Sequence, residues 1–168
     1  MKIRTCFFLL VLAAAATALA TPQASKTAAL RDPEIIDAQG YQKLLEQNRG
    51  KPVLVNFWAT YCEPCRDELP TIERLRASLA GRPFVVLGVQ MGGSARTAQD
   101  TAKELGLHFP LLVDRDSRAT KAWDVRELPT SFLIGPGGEI AFTHAGEMDW
   151  TSAGARRRVE TLLATPPP

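Results

Sequence analysis

The sequence predicts an α/β domain built on a mixed central sheet with helices on both faces. Three observations carry this. Apolar runs too continuous to have a wet face alternate with stretches of helical periodicity through the first half. Gly135-Pro136-Gly137-Gly138 separates two short strand patterns, which reads as a hairpin. A final helical pattern then closes the chain.

The elements follow in order. Lys2 and Arg4 precede an unbroken apolar stretch from Phe7 to Ala16, and Ala18-Leu19-Ala20 ends it with small residues. This pattern predicts a secretory signal peptide over residues 1–20, cleaved after Ala20. Only 15 residues run from Cys6 to Ala20, short of the roughly 20 needed to cross a bilayer. The expected location is periplasmic, or membrane-anchored facing the periplasm if the segment is retained. Residues 21–33 are small, polar and punctuated by proline, a spacer. The domain then runs over 34–164, with a disordered tail at 165–168.

Glu34–Asp37 is the expected first strand. Tyr41, Leu44 and Leu45 recur at helical spacing before Asn48-Arg49-Gly50 stops the helix. Val53–Trp58 is apolar on both faces and belongs at the centre of the sheet. Leu69, Ile72, Leu75 and Leu79 mark one long helix ended by Gly81, with Pro70 kinking it. Phe84–Val89 is a second buried strand, and a polar helix covers about Ser94–Leu105. Phe109–Val113 is a further strand, and Ala119–Asp124 a helical turn or two. Thr130–Ile134 and Glu139–Thr143 form the hairpin, and Ala155, Val159, Leu162 and Leu163 the closing helix.

Cleavage leaves 148 residues, enough for one real core. The whole chain has 20 basic and 18 acidic residues; losing Lys2 and Arg4 leaves 18 of each. A neutral protein has no general electrostatic case for nucleic acid or an anionic membrane. Arg156-Arg157-Arg158 reads as a solvated helix face. Of three cysteines, Cys6 leaves with the signal peptide. Cys62 and Cys65 remain, too few for a disulfide framework and too close together to staple a fold. They are there for chemistry.

Cys62 stands where the central strand has ended and a helix begins, so unpaired helix amides and the helix dipole favour its thiolate. Cys65 lies three residues on, about 4.5 Å further along the helix axis, within reach of a disulfide. One sulfur is accessible and the other sheltered, the asymmetry that thiol–disulfide exchange uses. The alternatives are metal binding or peroxide chemistry. Zinc needs two more ligands, and only His108 and His144, both in strand-like segments, are on offer. Two thiolates can hold Cu(I), so copper transfer stands as a separate reading. A peroxidatic cysteine has no need of a partner two residues away.

Phe57-Trp58-Ala59-Thr60-Tyr61-Cys62-Glu63-Pro64-Cys65-Arg66-Asp67-Glu68-Leu69-Pro70 resembles the active-site signature of the TlpA/ResA-type exported thioredoxins. Leu128-Pro129-Thr130-Ser131-Phe132-Leu133-Ile134, followed by Gly137-Gly138-Glu139-Ile140, resembles that family's cis-proline loop and closing hairpin. The segment from about Ser94 to Asp124 resembles its inserted strand and helix. The likeness covers roughly residues 34–164. It departs at Tyr61, where tryptophan is usual, and at Thr130, where the cytochrome-maturation branch has glutamate. It departs also at Asn56, where cytoplasmic thioredoxins bury an aspartate, and at Tyr41–Pro52, which looks like a plain thioredoxin.

The resemblance implies a thioredoxin fold with a strand–helix insertion before a cis proline. It also implies a thiol:disulfide oxidoreductase with no cofactor and no metal, which acts on a disulfide-containing protein. In that scheme Cys62 attacks, Cys65 resolves the mixed disulfide, and Glu68 shuttles the proton. Pro129, Leu128, Pro64 and Tyr61 border the substrate groove, with the Leu128 backbone available to an extended substrate strand. A membrane thiol carrier is the implied electron donor, a monomer is the expected state, and cytochrome c or oxidase maturation is the implied setting. Glu63 and Glu68 oppose thiolate formation, which favours the reducing direction.

Overall fold

The structure, a computed structural model, describes residues 44–166. The expected signal peptide, spacer and first strand at Glu34–Asp37 lie outside these residues. Among the described residues five strands form one sheet: β1 (Val53–Trp58), β2 (Val85–Met91), β3 (Leu111–Asp114), β4 (Thr130–Ile134) and β5 (Ile140–Ala145). Their order is β3-β2-β1-β4-β5. The β1–β2 and β2–β3 pairs are parallel, and β1–β4 and β4–β5 antiparallel. The helices are α1 (Glu63–Ser78), α2 (Ala95–Leu105), α3 (Arg118–Ala122) and α4 (Ala153–Leu163).

Every residue of β1 is buried because both faces of the sheet are covered. Leu54 and Trp58 pack with Leu69, Ile72 and Leu75 of α1, Ala98 and Ala102 of α2, and Ala155 and Val159 of α4. Val55 and Phe57 point the other way and join Leu87, Val89, Leu112, Phe132 and Ala119 of α3. Leu44 and Leu45, in the helical turn at 44–47, pack on that second face. Phe132 meets both Phe57 and Trp123 edge to face, with centroids 5.8 and 4.9 Å apart. The strand period of two places Asn56 on the α1 side of β1, with Leu54 and Trp58. It likewise places Ser131 on the α1 side of β4, with Leu133.

Several boundaries differ from those the sequence predicts, and each has a local cause. β2 runs on to Met91 because buried Gln90 still pairs in register with Trp58 while its amide donates to Thr97 Oγ1 and the Gly92 carbonyl. β3 begins at Leu111 and not Phe109: Pro110 has no N–H to give a ladder. His108 therefore lies in a loop and not in a strand. Its backbone N–H donates to Glu73 Oε2 at 3.0 Å. α3 stops at Ala122, short of Asp124, whose φ of 51° cannot continue a right-handed helix. α1 ends at Ser78, and the chain turns away through Gly81 at φ 82°. α2 starts with a reciprocal cap between Ser94 and Thr97 and ends at Gly106.

Candidate active site

The loop after β1 leads directly into α1, with Cys62 as the N-cap residue. Its backbone is extended, and its Sγ accepts a hydrogen bond from the Cys65 N–H at 3.3 Å. Pro64 sits in the first helical turn, where a missing N–H removes no intrahelical bond. The two cysteines are joined as a disulfide with their α-carbons 5.3 Å apart. Cys62 is half-buried and Cys65 fully buried, so an incoming sulfur reaches the first and not the second.

The β1–β4 register pairs Phe57 with Thr130. The start of β4 therefore lies beside the end of β1 from which the Cys62 loop departs. The Leu128–Pro129 peptide bond immediately before it is cis. Thr130 Oγ1 donates to the Glu127 carbonyl at 2.7 Å and Gly146 N–H to the Pro129 carbonyl at 2.9 Å, fixing the loop from both sides. Pro129 is buried, while Leu128 is half-buried and packs against both halves of the core. Tyr61 and Pro64 are exposed; Tyr61 presents 76 % of its surface directly before Cys62.

Glu68 is the unusual group. It lies on α1 three residues after Cys65, so the two are neighbours on one helix face, with about 5–6 Å between Cβ atoms. It is only 1 % exposed. Its Oε1 accepts two hydrogen bonds, from Trp150 Nε1 at 2.6 Å and from Ser131 Oγ at 3.2 Å. Its Oε2 is buried with no hydrogen-bond partner. Burial raises the carboxyl from its ordinary 4.5; the Trp150 and Ser131 bonds pull it back, and nearby Glu147 pushes it up again. The outcome is about 7. Behind Ser131 lies Asn56, whose Nδ2 donates to Ser131 Oγ at 2.9 Å.

The polar row Asn56–Ser131–Glu68–Trp150 thus joins β1, β4, α1 and the segment before α4. Ser131 and Trp150 were not visible as site residues in the sequence. Ser131 follows Pro129 by two positions and shares a face with core residue Leu133, but Trp150 reads there as one more apolar residue before a helix. Trp58 packs in the core cluster that also holds Cys65. As metal donors, the two sulfurs stand alone: among the described residues no group of three or more His, Cys, Asp or Glu is arranged to hold an ion.

Comparison with known proteins agrees with this geometry. A model of the AhpC/TSA family matches residues 22–143. The thiol-disulfide oxidoreductase ResA of Geobacillus kaustophilus is 33% identical over 128 residues, covering 76% of this chain and 72% of that protein. ResA of Bacillus subtilis is 34% identical over 112 residues, covering 67% of this chain and 63% of its own length. A thiol:disulfide interchange protein of the thioredoxin family from Chlorobium tepidum superposes with a TM-score of 0.63 at 26% identity, over 71% of this chain and 84% of that one. With the dithiol, the sheet order and these relatives in agreement, the chain belongs to the AhpC/TSA family and is a thioredoxin-like thiol–disulfide oxidoreductase of the TlpA/ResA type.

Proposed function

We propose that this oxidoreductase is exported and reduces protein disulfides. The buried Glu68 carboxyl carries this reading. A group that ionises near neutrality beside Cys65 opposes negative charge on the cysteine pair. Glu63, between the cysteines, acts in the same sense. A less stabilised thiolate means a less stabilised dithiol, hence a low potential and electrons that leave readily.

The steps balance. Cys62, as thiolate, attacks one sulfur of the substrate disulfide; a Cys62–substrate disulfide forms and the first substrate thiolate leaves. Cys65 gives its proton to the Glu68 carboxylate, and its thiolate attacks Cys62 Sγ. The Cys62–Cys65 disulfide forms, the second substrate thiolate leaves, and Glu68 returns the proton for its neutralisation. Two electrons pass from the dithiol to the substrate. The signal-peptide pattern at residues 1–20 supports export, and an oxidising compartment then requires a membrane thiol carrier to restore the dithiol. Apocytochrome c and copper-site proteins are substrates of the fitting kind, met by a monomer across the Tyr61 and Pro64 surface beside the cis-proline loop at Leu128 and Pro129.

Equilibration with glutathione tests the direction. The expected potential lies nearer thioredoxin, about −270 mV, than DsbA, about −120 mV. A value above that of protein disulfide isomerase, about −180 mV, reverses the direction of electron flow. Glu68→Gln tests the proton step: resolution of the mixed disulfide should slow, by about 10²-fold or less.

A further inference from the structure

We propose that Trp150 and Ser131 are positioning residues for the proton transfer: they anchor Glu68 through Oε1 and leave Oε2 as the oxygen that takes and returns the proton of Cys65. The inference rests on the reading of Glu68 as the proton acceptor. It adds which oxygen works and what holds it.

The asymmetry of the carboxyl is the observation. Both donors reach the same oxygen, from different parts of the fold: Trp150 Nε1 at 2.6 Å and Ser131 Oγ at 3.2 Å. Oε2 is equally buried and takes part in no hydrogen bond. An indole N–H can only donate, and the carbonyl oxygen of a carboxyl is a better acceptor for it than the hydroxyl oxygen. The Ser131 hydroxyl has one proton and accepts from Asn56 Nδ2 at 2.9 Å. Its proton is therefore left for Glu68. Two donors aimed at Oε1 exclude a proton there, so protonation falls to Oε2.

The donors are themselves held. Thr71, on the next position of the α1 turn beyond Pro70, accepts from the Trp150 backbone N–H at 3.1 Å and donates to the Glu68 carbonyl at 2.8 Å. One hydroxyl thus ties the Trp150 segment to the helix that carries Glu68. Trp150 is fully buried, so its ring has no alternative solvent-facing position. Ser131 is held by the β1–β4 ladder opposite Asn56.

Charge around the carboxyl is sparse. Glu147, from the segment leading to Trp150, is the charged neighbour that raises it; Asn56 and Ser131 from the strands, and Trp150 itself, are neutral. On α1 the titrating neighbour is Cys65 once reduced. The two donors are what holds the group near 7 against its burial. Removing either stabilises the protonated form.

The test uses the full chain and four variants: Trp150→Phe, Ser131→Ala, Ser131→Thr and Glu68→Gln. The Glu68 carboxyl is titrated by side-chain ¹³C NMR, and the pH profile of mixed-disulfide resolution is followed by stopped flow. Trp150→Phe and Ser131→Ala should each raise the Glu68 pKa by about one unit, the size expected for loss of a hydrogen bond to a charged group. The profile's limb near 7 should move with it. Ser131→Thr keeps the hydroxyl and should titrate as wild type. In a Glu68→Gln background neither donor variant should move the profile.

An unmoved pKa and profile in Ser131→Ala and Trp150→Phe, with Glu68→Gln still slow, overturns the positioning role alone. Wild-type resolution in Glu68→Gln overturns the proton-acceptor reading and the positioning role with it. If Trp150→Phe fails to fold, the Ser131 pair carries the same test.

Discussion

Replacing Glu68 by glutamine changes how stability depends on pH, and the structure sets the size of the change. In the unfolded chain the carboxyl titrates at its ordinary 4.5, and in the folded protein at about 7. The folded state therefore binds the proton more tightly. Stability from that preference is complete below about pH 4.5 and is lost as pH rises through about 7. A shift of this size corresponds to about 3 kcal/mol at 1.36 kcal/mol per unit. Glutamine cannot ionise, and its contribution is flat. Its amide places a donor where Oε2 has no partner, as the protonated carboxyl also does, so glutamine mimics the low-pH form of Glu68. The two proteins should thus be closest in stability at low pH, where Glu68 is protonated in both folded and unfolded chains. Between pH 4.5 and 8.5 wild type should lose about 3 kcal/mol relative to the glutamine protein. Urea unfolding of the oxidised proteins across that range, with m-values compared to verify two-state behaviour, measures it. Parallel stability curves would refute the reasoning, because they mean that Glu68 ionises alike in folded and unfolded chains.

Three other outcomes follow from particular contacts. Asp114→Ala removes the buried acceptor of the Ala119 and Thr120 N–H groups and the Thr120 hydroxyl at 3.1, 2.7 and 2.6 Å; urea titration should show a loss of about 3 kcal/mol or more. Gly88→Ala drives a methyl to 2.6 Å from Leu111 Cδ2 and 3.1 Å from the Phe109 ring; thermal unfolding should report about 1–3 kcal/mol of overpacking. Cys65→Ser keeps the accessible sulfur and removes the buried one, so non-reducing electrophoresis should show accumulated mixed disulfide with a model substrate, absent in Cys62→Ser.

What the sequence made legible was set by short-range patterns. The apolar run at Val53–Trp58 and the spacing of Leu69, Ile72 and Leu75 placed the central strand, its helix and the cysteine pair, since each depends on residues within a few positions. Strand ends were less legible because tertiary partners decide them: Gln90 stays in β2 through bonds to Thr97 and Gly92. Glu68 was visible as a carboxylate on the cysteine face, but its burial was not. The residues that surround it, Ser131 and Trp150, stand 63 and 82 positions away. No periodicity connects them. Serine in a strand and tryptophan before a helix are ordinary residues until the fold brings both to one oxygen.

The polar row also shows why this part of the core is not packed for stability. A leucine or methionine at position 68 would fill the same space between α1, β4 and Trp150 with no charge to bury. Glu68 instead leaves Oε2 unpaired, and Asn56 Oδ1 behind it is unpaired too. Each such group lowers stability by about 1–3 kcal/mol. A fold tolerates that deficit only where other contacts fix the geometry, and here they do: Leu69 and Ile72 are fully buried on either side of Pro70 and Thr71. The same packing that absorbs the deficit holds the carboxyl on the Cys65 face of α1. An apolar side chain at 68 removes that deficit but strips Trp150 Nε1 and Ser131 Oγ of their shared acceptor, a loss of about 1–3 kcal/mol for each, so it should weaken the protein as well as slow the resolution of mixed disulfides.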